Sequence, residues 1–223
     1  LLPSPYKRQD FNELRQLSDG TYWALMGYVP ERGNSLLIEF NEDGTYQNYP
    51  FKGEFGGKII EDHQGNIWIP LKYQEVLRFS PKGKTFQKFN HQHIFPNKLD
   101  VFAMMEDANH HIWIGTARGL IQAIPNGDSL DFKGFENEPS NARSLRNNFI
   151  LSLLDDPENP TQFLWIGTKG GGLNLLNKST GEVTHFTTED GLPNNVVYGV
   201  LDDEEGNLWL STNRGISKFN PKE

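Results

Sequence analysis

The chain has 223 residues, with 21 Lys and Arg against 29 Asp and Glu, giving a formal charge of −8. That length suits one large or two small domains able to bury roughly 70% of their unfolded surface without disulfides or metals. The negative balance argues against a general nucleic-acid binder or a protein that docks on anionic membranes. Cysteine is absent, which removes disulfide scaffolds, zinc ribbons and thiol nucleophiles. No apolar run approaches the ~18 residues of a membrane helix. Leu1-Leu2-Pro3-Ser4-Pro5 has neither the charged region nor the apolar core of a signal peptide, so an exported form is expected to have lost its signal. Abundant aromatics, 22 Gly and 13 Pro favour short strands and many turns.

In chain order, residues 1–10 read as a lead-in and five copies of one pattern follow, at about 11–50, 56–90, 97–136, 144–187 and 192–221. Each copy holds one tryptophan: Trp23, Trp68, Trp113, Trp165 and Trp209, spaced 45, 45, 52 and 44 residues apart. The first copy is the weakest, Ser18-Asp19-Gly20-Thr21-Tyr22-Trp23. The second reads Asp62-His63-Gln64-Gly65-Asn66-Ile67-Trp68 and the third Asp107-Ala108-Asn109-His110-His111-Ile112-Trp113. The fourth separates Asp156 from Trp165 by nine residues instead of six, a loop insertion, and takes the rest of its extra length within 136–147. The fifth is Asp203-Glu204-Glu205-Gly206-Asn207-Leu208-Trp209. In the last copy 196–201 predicts an apolar first strand, 208–212 a second and 215–219 a third. Outer fourth strands are expected at 46–49, 86–89, 132–135 and 183–186. A period of about 45 residues with four strands fits an all-β propeller blade. The first strand of each blade is expected to be covered on both faces, and the Trp to plug the space between blades.

The run apolar-x-x-Asp-x-x-Gly-Asn-Leu-Trp-Ile-Gly-Thr-x-x-Gly-Leu resembles the two-component regulator propeller repeat. Segments 107–120 and 203–216 match it best. Segment 62–68 matches its first half, with Pro70-Leu71 in place of Gly-Thr, and 156–173 its second half; the leader 190–197 resembles the family's link between blades. The resemblance runs over nearly the whole chain, 11–221. It implies the extracytoplasmic, periplasmic sensor region of a hybrid two-component histidine kinase of Bacteroidetes type. An oligosaccharide would be its ligand, and the rest of the sensor kinase chain its partner. No kinase or receiver signature occurs in the sequence, so a piece of a larger propeller is expected, with a closed five-bladed ring as the alternative.

On a propeller, the loops before the first strands and those between second and third strands share one face. The latter carry Tyr28, Arg32, Lys72, Tyr73, Arg118, Lys169 and Arg214. The former carry Asn97, Lys98, Asn147, Asn148, Asn194 and Asn195. The ligand set expected from these is Tyr28, Arg32, Lys72, Tyr73, Lys98, Arg118, Asn148, Lys169, Asn195 and Arg214. Its cations suit an acidic or sulfated sugar and its Asn and Tyr neutral hydroxyls, against the plain alternative of ordinary turn residues. The extended loop 27–34 of the first copy is a further candidate for specificity.

The acidic turns read as solvated Asp turns rather than calcium loops, being too short for an EF-hand. His91 and His93 form a metal pair only if a third ligand joins them, so neither metal nor cofactor is expected. Gly167-Thr168-Lys169-Gly170-Gly171-Gly172 lies between strands and reads as a hairpin, not a phosphate loop. There is no Gly-x-Ser-x-Gly elbow and no His-Glu-x-x-His. The region is therefore expected to be non-catalytic, with a propeller lyase or glycan-active enzyme, or a protein-binding scaffold that includes a homodimer, as alternatives. Nucleic-acid partners and a membrane segment are not expected.

Overall fold

The repeat becomes structure through its turn. In a computed structural model, which describes residues 11–29, 34–72, 75–95, 100–203 and 205–222, the Asp of each strong copy closes the hairpin between first and second strands. Asp107 Oδ1 accepts the N–H groups of Asn109 and His111, both at 2.9 Å, and Oδ2 accepts the indole N–H of Trp113 at 2.7 Å. Asp62 does the same with Gln64, Asn66 and Trp68, and Asp156 with Glu158, Asn159 and Trp165. A buried indole must place its N–H on an acceptor, and the fixed spacing puts one there. In the weak first copy, Thr21 Oγ1 takes the indole N–H of Trp23 at 2.8 Å. The residue three after the Asp of the third copy, His110, holds φ 63° where the second and fifth copies use glycine.

The chain divides into two units, the first ending at Asn90 and the second starting at His91. In the first, β1 (Phe11–Gln16), β2 (Tyr22–Val29), β3 (Asn34–Phe40) and β4 (Tyr46–Phe51) form one antiparallel meander. A second meander joins β5 (Ile60–Glu61), β6 (Ile67–Leu71), β7 (Glu75–Ser80) and β8 (Thr85–Asn90). Trp23 is buried among Ile59, Ile67, Ile69 and Phe79, which belong to the second sheet or its leader.

The second unit has three sheets. β9 (Val101–Glu106), β10 (Ile112–Thr116), β11 (Leu120–Asn126) and β12 (Ser129–Phe135) form the first. β13 (Ile150–Asp155), β14 (Phe163–Thr168), β15 (Leu173–Asn177) and β16 (Val183–Phe186) form the second. β17 (Val197–Asp202), β18 (Leu208–Thr212) and β19 (Gly215–Phe219) form the third. Trp113 packs with Leu145, Ile150, Leu164 and Ile166 of the following blade, and Trp165 with Val197, Leu208 and Leu210 of the next. Each fully buried indole removes on the order of 200 Å² from water, about 5 kcal/mol at 25 cal/mol per Å². The expected all-β class, with propeller blades of four strands, is borne out, the last sheet holding three strands among the described residues.

Two expectations are corrected. The most buried strand of a blade is the second, not the first: β6 and β10 are buried at every residue, whereas β9 and β13 are largely half-exposed and half of β17 is exposed. First strands lie at the edge of their sheets, whereas second strands are flanked on both sides by strands of their own sheet. The acidic turns are solvated at their tips and hold their Asp-to-backbone bonds, but the carboxylates of Asp62, Asp107 and Asp156 are not solvated: these residues are buried, drawn in to the indoles. Both oxygens of each already accept N–H donors, an arrangement built around donors rather than a cation.

The Gly of the Trp-Ile-Gly-Thr run sets how closely blades approach. A Cβ on Gly115 would stand 2.6 Å from Ile150 Cγ2 on the following blade's first strand, so any larger residue would push that strand away. Four first strands share a further irregularity. Each carries one extra residue against its second strand, a β-bulge at Asn12, Phe102, Leu151 and Tyr198.

Candidate functional site

The hairpins joining second to third strands are built on the Thr of Gly-Thr. Thr116 Oγ1 donates to Gly119 O at 2.8 Å and accepts the Arg118 N–H at 3.0 Å. Thr212 repeats this with Gly215 and Arg214. In the fourth blade Thr168 Oγ1 donates to Gly172 O and accepts from Gly171 N, so the glycine run is a hairpin, as its position between strands implied. Gly172 has φ 71°, and a Cβ there would meet Phe186 O at 2.0 Å; no side chain fits. These short clamped turns leave Arg118, Lys169 and Arg214 exposed at their tips.

The leader of the fourth blade completes the site. Arg146 N donates to Asn174 Oδ1 at 3.0 Å, and Asn147 Oδ1 accepts the Phe149 N–H at 2.8 Å. Lys169 N donates to Phe149 O at 2.9 Å, and its ammonium lies 4.8 Å from the Phe149 ring centre, a cation–π contact. Ala117, Asn137, Arg146, Asn147, Asn148, Phe149 and Lys169 thereby enclose an open cleft of about 490 Å³. Within the described residues, none of Arg118, Arg146, Lys169 and Arg214 has a carboxylate within ion-pair distance.

The expected ligand residues fall into four groups. Arg118, Lys169 and Arg214 present their charges on this loop face, and Asn148 and Lys169 share the cleft. Asn148 and Asn195 lie on the same face with their side chains engaged locally: Asn148 Oδ1 accepts from Asn137 N, and Asn195 Oδ1 from Thr188 N at 2.8 Å. Lys72, in the first unit, is ion-paired to Glu54 at 2.9 Å. The Tyr28 side chain, Arg32, Tyr73 and Lys98 lie outside the described residues, as do Asn97 and most of the loop 27–34. Sequence reasoning missed Arg146 and Phe149; their signal was the leader Arg146-Asn147-Asn148-Phe149, of which only the two Asn were taken up. The His91 ring is buried and His93 exposed, and both lie against Phe132, at 5.7 and 6.1 Å.

A second polar centre lies at the opposite ends of these strands. Lys178, on the turn after β15, is 4% exposed and reaches Asp107 Oδ2 at 3.0 Å, Asp155 Oδ1 at 2.6 Å and Pro160 O at 2.6 Å. It clips the third blade to the fourth. Burial alone would raise the Asp107 carboxyl, but the Trp113 indole, the His111 N–H and Lys178 outweigh it and hold it below the usual carboxylate range. For Asp155 burial wins and the carboxyl is pushed up, despite Lys178 and the Ala108 N–H.

The profile of the two component regulator propeller family matches residues 95–118 and 191–214. A curated relative, Histidine kinase P4 of Formosa agariphila, is 25% identical over 202 residues, 83% of this chain. The chain spans 14% of that relative's length. Among solved structures, PorZ, a surface component of the type-IX secretion system of Porphyromonas gingivalis, superposes with a TM-score of 0.71 at 19% identity, over 94% of this chain and 32% of PorZ. The extracellular domain assigned to a hybrid two-component system of B. thetaiotaomicron gives 0.53 at 16%, over 96% and 35%. Virginiamycin B lyase from Staphylococcus aureus gives 0.68 at 15%, over 97% and 72%.

These findings make the chain a propeller-type domain related to two-component regulator propellers, with a fold used both by two-component sensor domains and by lyases. The lyase likeness corrects the expectation that the region is non-catalytic. Blade loops bring together residues far apart in sequence, so a missing contiguous motif does not exclude catalysis on this fold. Among the described residues no helix is long and apolar enough to cross a membrane.

Proposed function

We propose that this chain is a ligand-binding propeller region of a two-component sensor, lying in the periplasm, and that the loop face of its second unit recognises an acidic oligosaccharide. Occupancy of that face biases a histidine kinase in the same polypeptide through differential affinity for two sensor states. One observation carries the reading. In a chain of formal charge −8, Arg118, Arg146, Lys169 and Arg214 stand exposed on one face, without carboxylate partners among the described residues, three of their loops meeting around the cleft. Unneutralised guanidinium and ammonium groups beside Asn side chains suit a carboxylate or sulfate flanked by hydroxyls. The matches to the regulator propeller profile and to a histidine kinase support the signalling setting.

Calorimetric titration with acidic and neutral oligosaccharides tests it. Acidic saccharides are expected to bind, more weakly at high salt, and Arg118→Ala or Lys169→Ala to weaken binding roughly tenfold each, the size of a charge-assisted hydrogen bond. Equal affinity for neutral sugars, or indifference to both substitutions, overturns the reading. Following the same mixtures for product formation reports any turnover.

A further inference from the structure

Three of the four first-strand bulges lie in the second unit, at Phe102, Leu151 and Tyr198. A bulge leaves its extra residue outside the ladder and re-aims the side chain. Here the re-aimed residues are apolar, yet Phe102 is 40% and Tyr198 50% exposed. Packing does not account for two large aromatic side chains turned to solvent at one repeated position. β13 lies against both β9 and β17, so the three residues occupy one level on three neighbouring strands.

The same residues adjoin the cationic loops. The Phe102 ring sits 4.5 Å from that of Phe149, which lines the cleft and underlies the Lys169 ammonium. The Tyr198 hydroxyl donates to Asn213 Oδ1 at 2.9 Å, on the hairpin that bears Arg214. An apolar strip therefore begins where the charged rim ends, and at two points it is tied to that rim.

We infer that Phe102, Leu151 and Tyr198 form the apolar half of the ligand site, a platform for the C–H face of a sugar ring whose acidic group is held by the neighbouring cations. The inference rests on the acidic-oligosaccharide reading above and adds the residues that select the ring. A pyranose has one apolar face and a hydroxyl-bearing edge. Aromatic and aliphatic side chains suit the face, and Asn and cationic side chains at the rim suit the edge and its acidic substituent. A simple inorganic anion would use the rim alone.

The test pairs aromatic NMR with affinity measurements. Wild type, Phe102→Ala, Tyr198→Ala and Tyr198→Phe are titrated with a chondroitin sulfate tetrasaccharide, with cellotetraose and with inorganic sulfate. The expected result is that the Phe102 and Tyr198 ring signals of the wild type move with the acidic tetrasaccharide. Each Ala substitution should weaken that binding about 3- to 10-fold, the worth of a ring contact. Tyr198→Phe should restore most of the loss, and the response to sulfate should be unchanged. If the tetrasaccharide binds but the ring signals stay still and the Ala variants match wild type, the platform is overturned while the acidic reading stands. If cellotetraose moves the rings as strongly and Lys169→Ala changes nothing, the platform stands and the acidic reading falls. Binding of neither saccharide overturns both. Should an Ala variant fail to fold, the ring signals of the wild type decide.

Discussion

The third and fifth blades contain the same turn with opposite fates. In both, an Asp accepts two backbone N–H groups and, six residues on, the indole N–H of a Trp, at 2.7 Å in Asp107–Trp113 and 3.0 Å in Asp203–Trp209. In both, a Lys approaches the same carboxylate. Yet Trp113 is fully buried and Lys178 is 4% exposed, whereas Trp209 is 42% and Lys218 44% exposed. The turn is made by local bonds and forms in either setting. Burial comes from the neighbouring blade: the fourth supplies Leu145, Ile150, Leu164 and Ile166 against Trp113, and Lys178 against Asp107. Lys218 belongs to the same sheet as Asp203, and it also lies near the Trp209 ring and Glu205.

The contrast is broken most sharply at the lysines. Lys178→Met leaves the buried Asp107 and the half-buried Asp155 without their cation and is expected to cost about 3–5 kcal/mol of stability. Lys218→Met should leave the denaturant midpoint unmoved, since exposed ion pairs contribute little. Equal losses in the two variants would show that burial is not the deciding difference.

A smaller effect is expected at the indoles. Trp113→Phe keeps much of the apolar packing but removes the donor to a buried carboxylate, a loss of about 1–3 kcal/mol. Trp209→Phe exposes its freed carboxylate oxygen to water, and chemical denaturation should find little change.

The least perturbing probe is pH. Asp203 is pulled down to about 2, first by the Asn207 backbone N–H and then by the Asn207 side chain, the Trp209 indole and the Glu205 N–H. A carboxyl lowered in the folded state contributes stability that is fully present above its unfolded value and disappears as pH falls through the folded one. NMR titration should therefore find Asp203 still ionised at pH 3. Asp107 is lowered and Asp155 raised, so their slopes oppose. Acidification removes the Asp107 contribution, while the folded protein takes up a proton at Asp155 before the unfolded chain does. Asp107→Asn should flatten the acid limb of the stability curve and Asp155→Asn steepen it; denaturant midpoints between pH 3 and 7 check both.

Much of the blade was legible in advance. Strands 208–212, 215–219 and 183–186 fall at β18, β19 and β16, since turn residues and apolar alternation bound them on both sides. The Trp positions announced the packing between blades for Trp23, Trp113 and Trp165. Less of the site was legible. Arg118, Lys169 and Arg214 could be placed at exposed hairpin tips because those are set by the Thr-x-x-Gly spacing, which is local. Arg146 and Phe149 were missed because their place in the cleft depends on the hairpin of the same blade and on Ala117 and Asn137 of the blade before. Nothing local marks Lys178, for its carboxylates lie 23 and 71 positions away in the chain.

The sequence by itself determined the repeat, the strand count of each blade and the Asp-to-indole turn. Those depend on groups a few residues apart, whose bonding geometry is the same wherever the segment sits. Only the tertiary structure decided which indole is sealed, which carboxylate loses its water, and which bulged side chains reach solvent. Each of these is set by atoms from a blade some 45 residues away, and desolvation depends on which neighbour is present rather than on the motif.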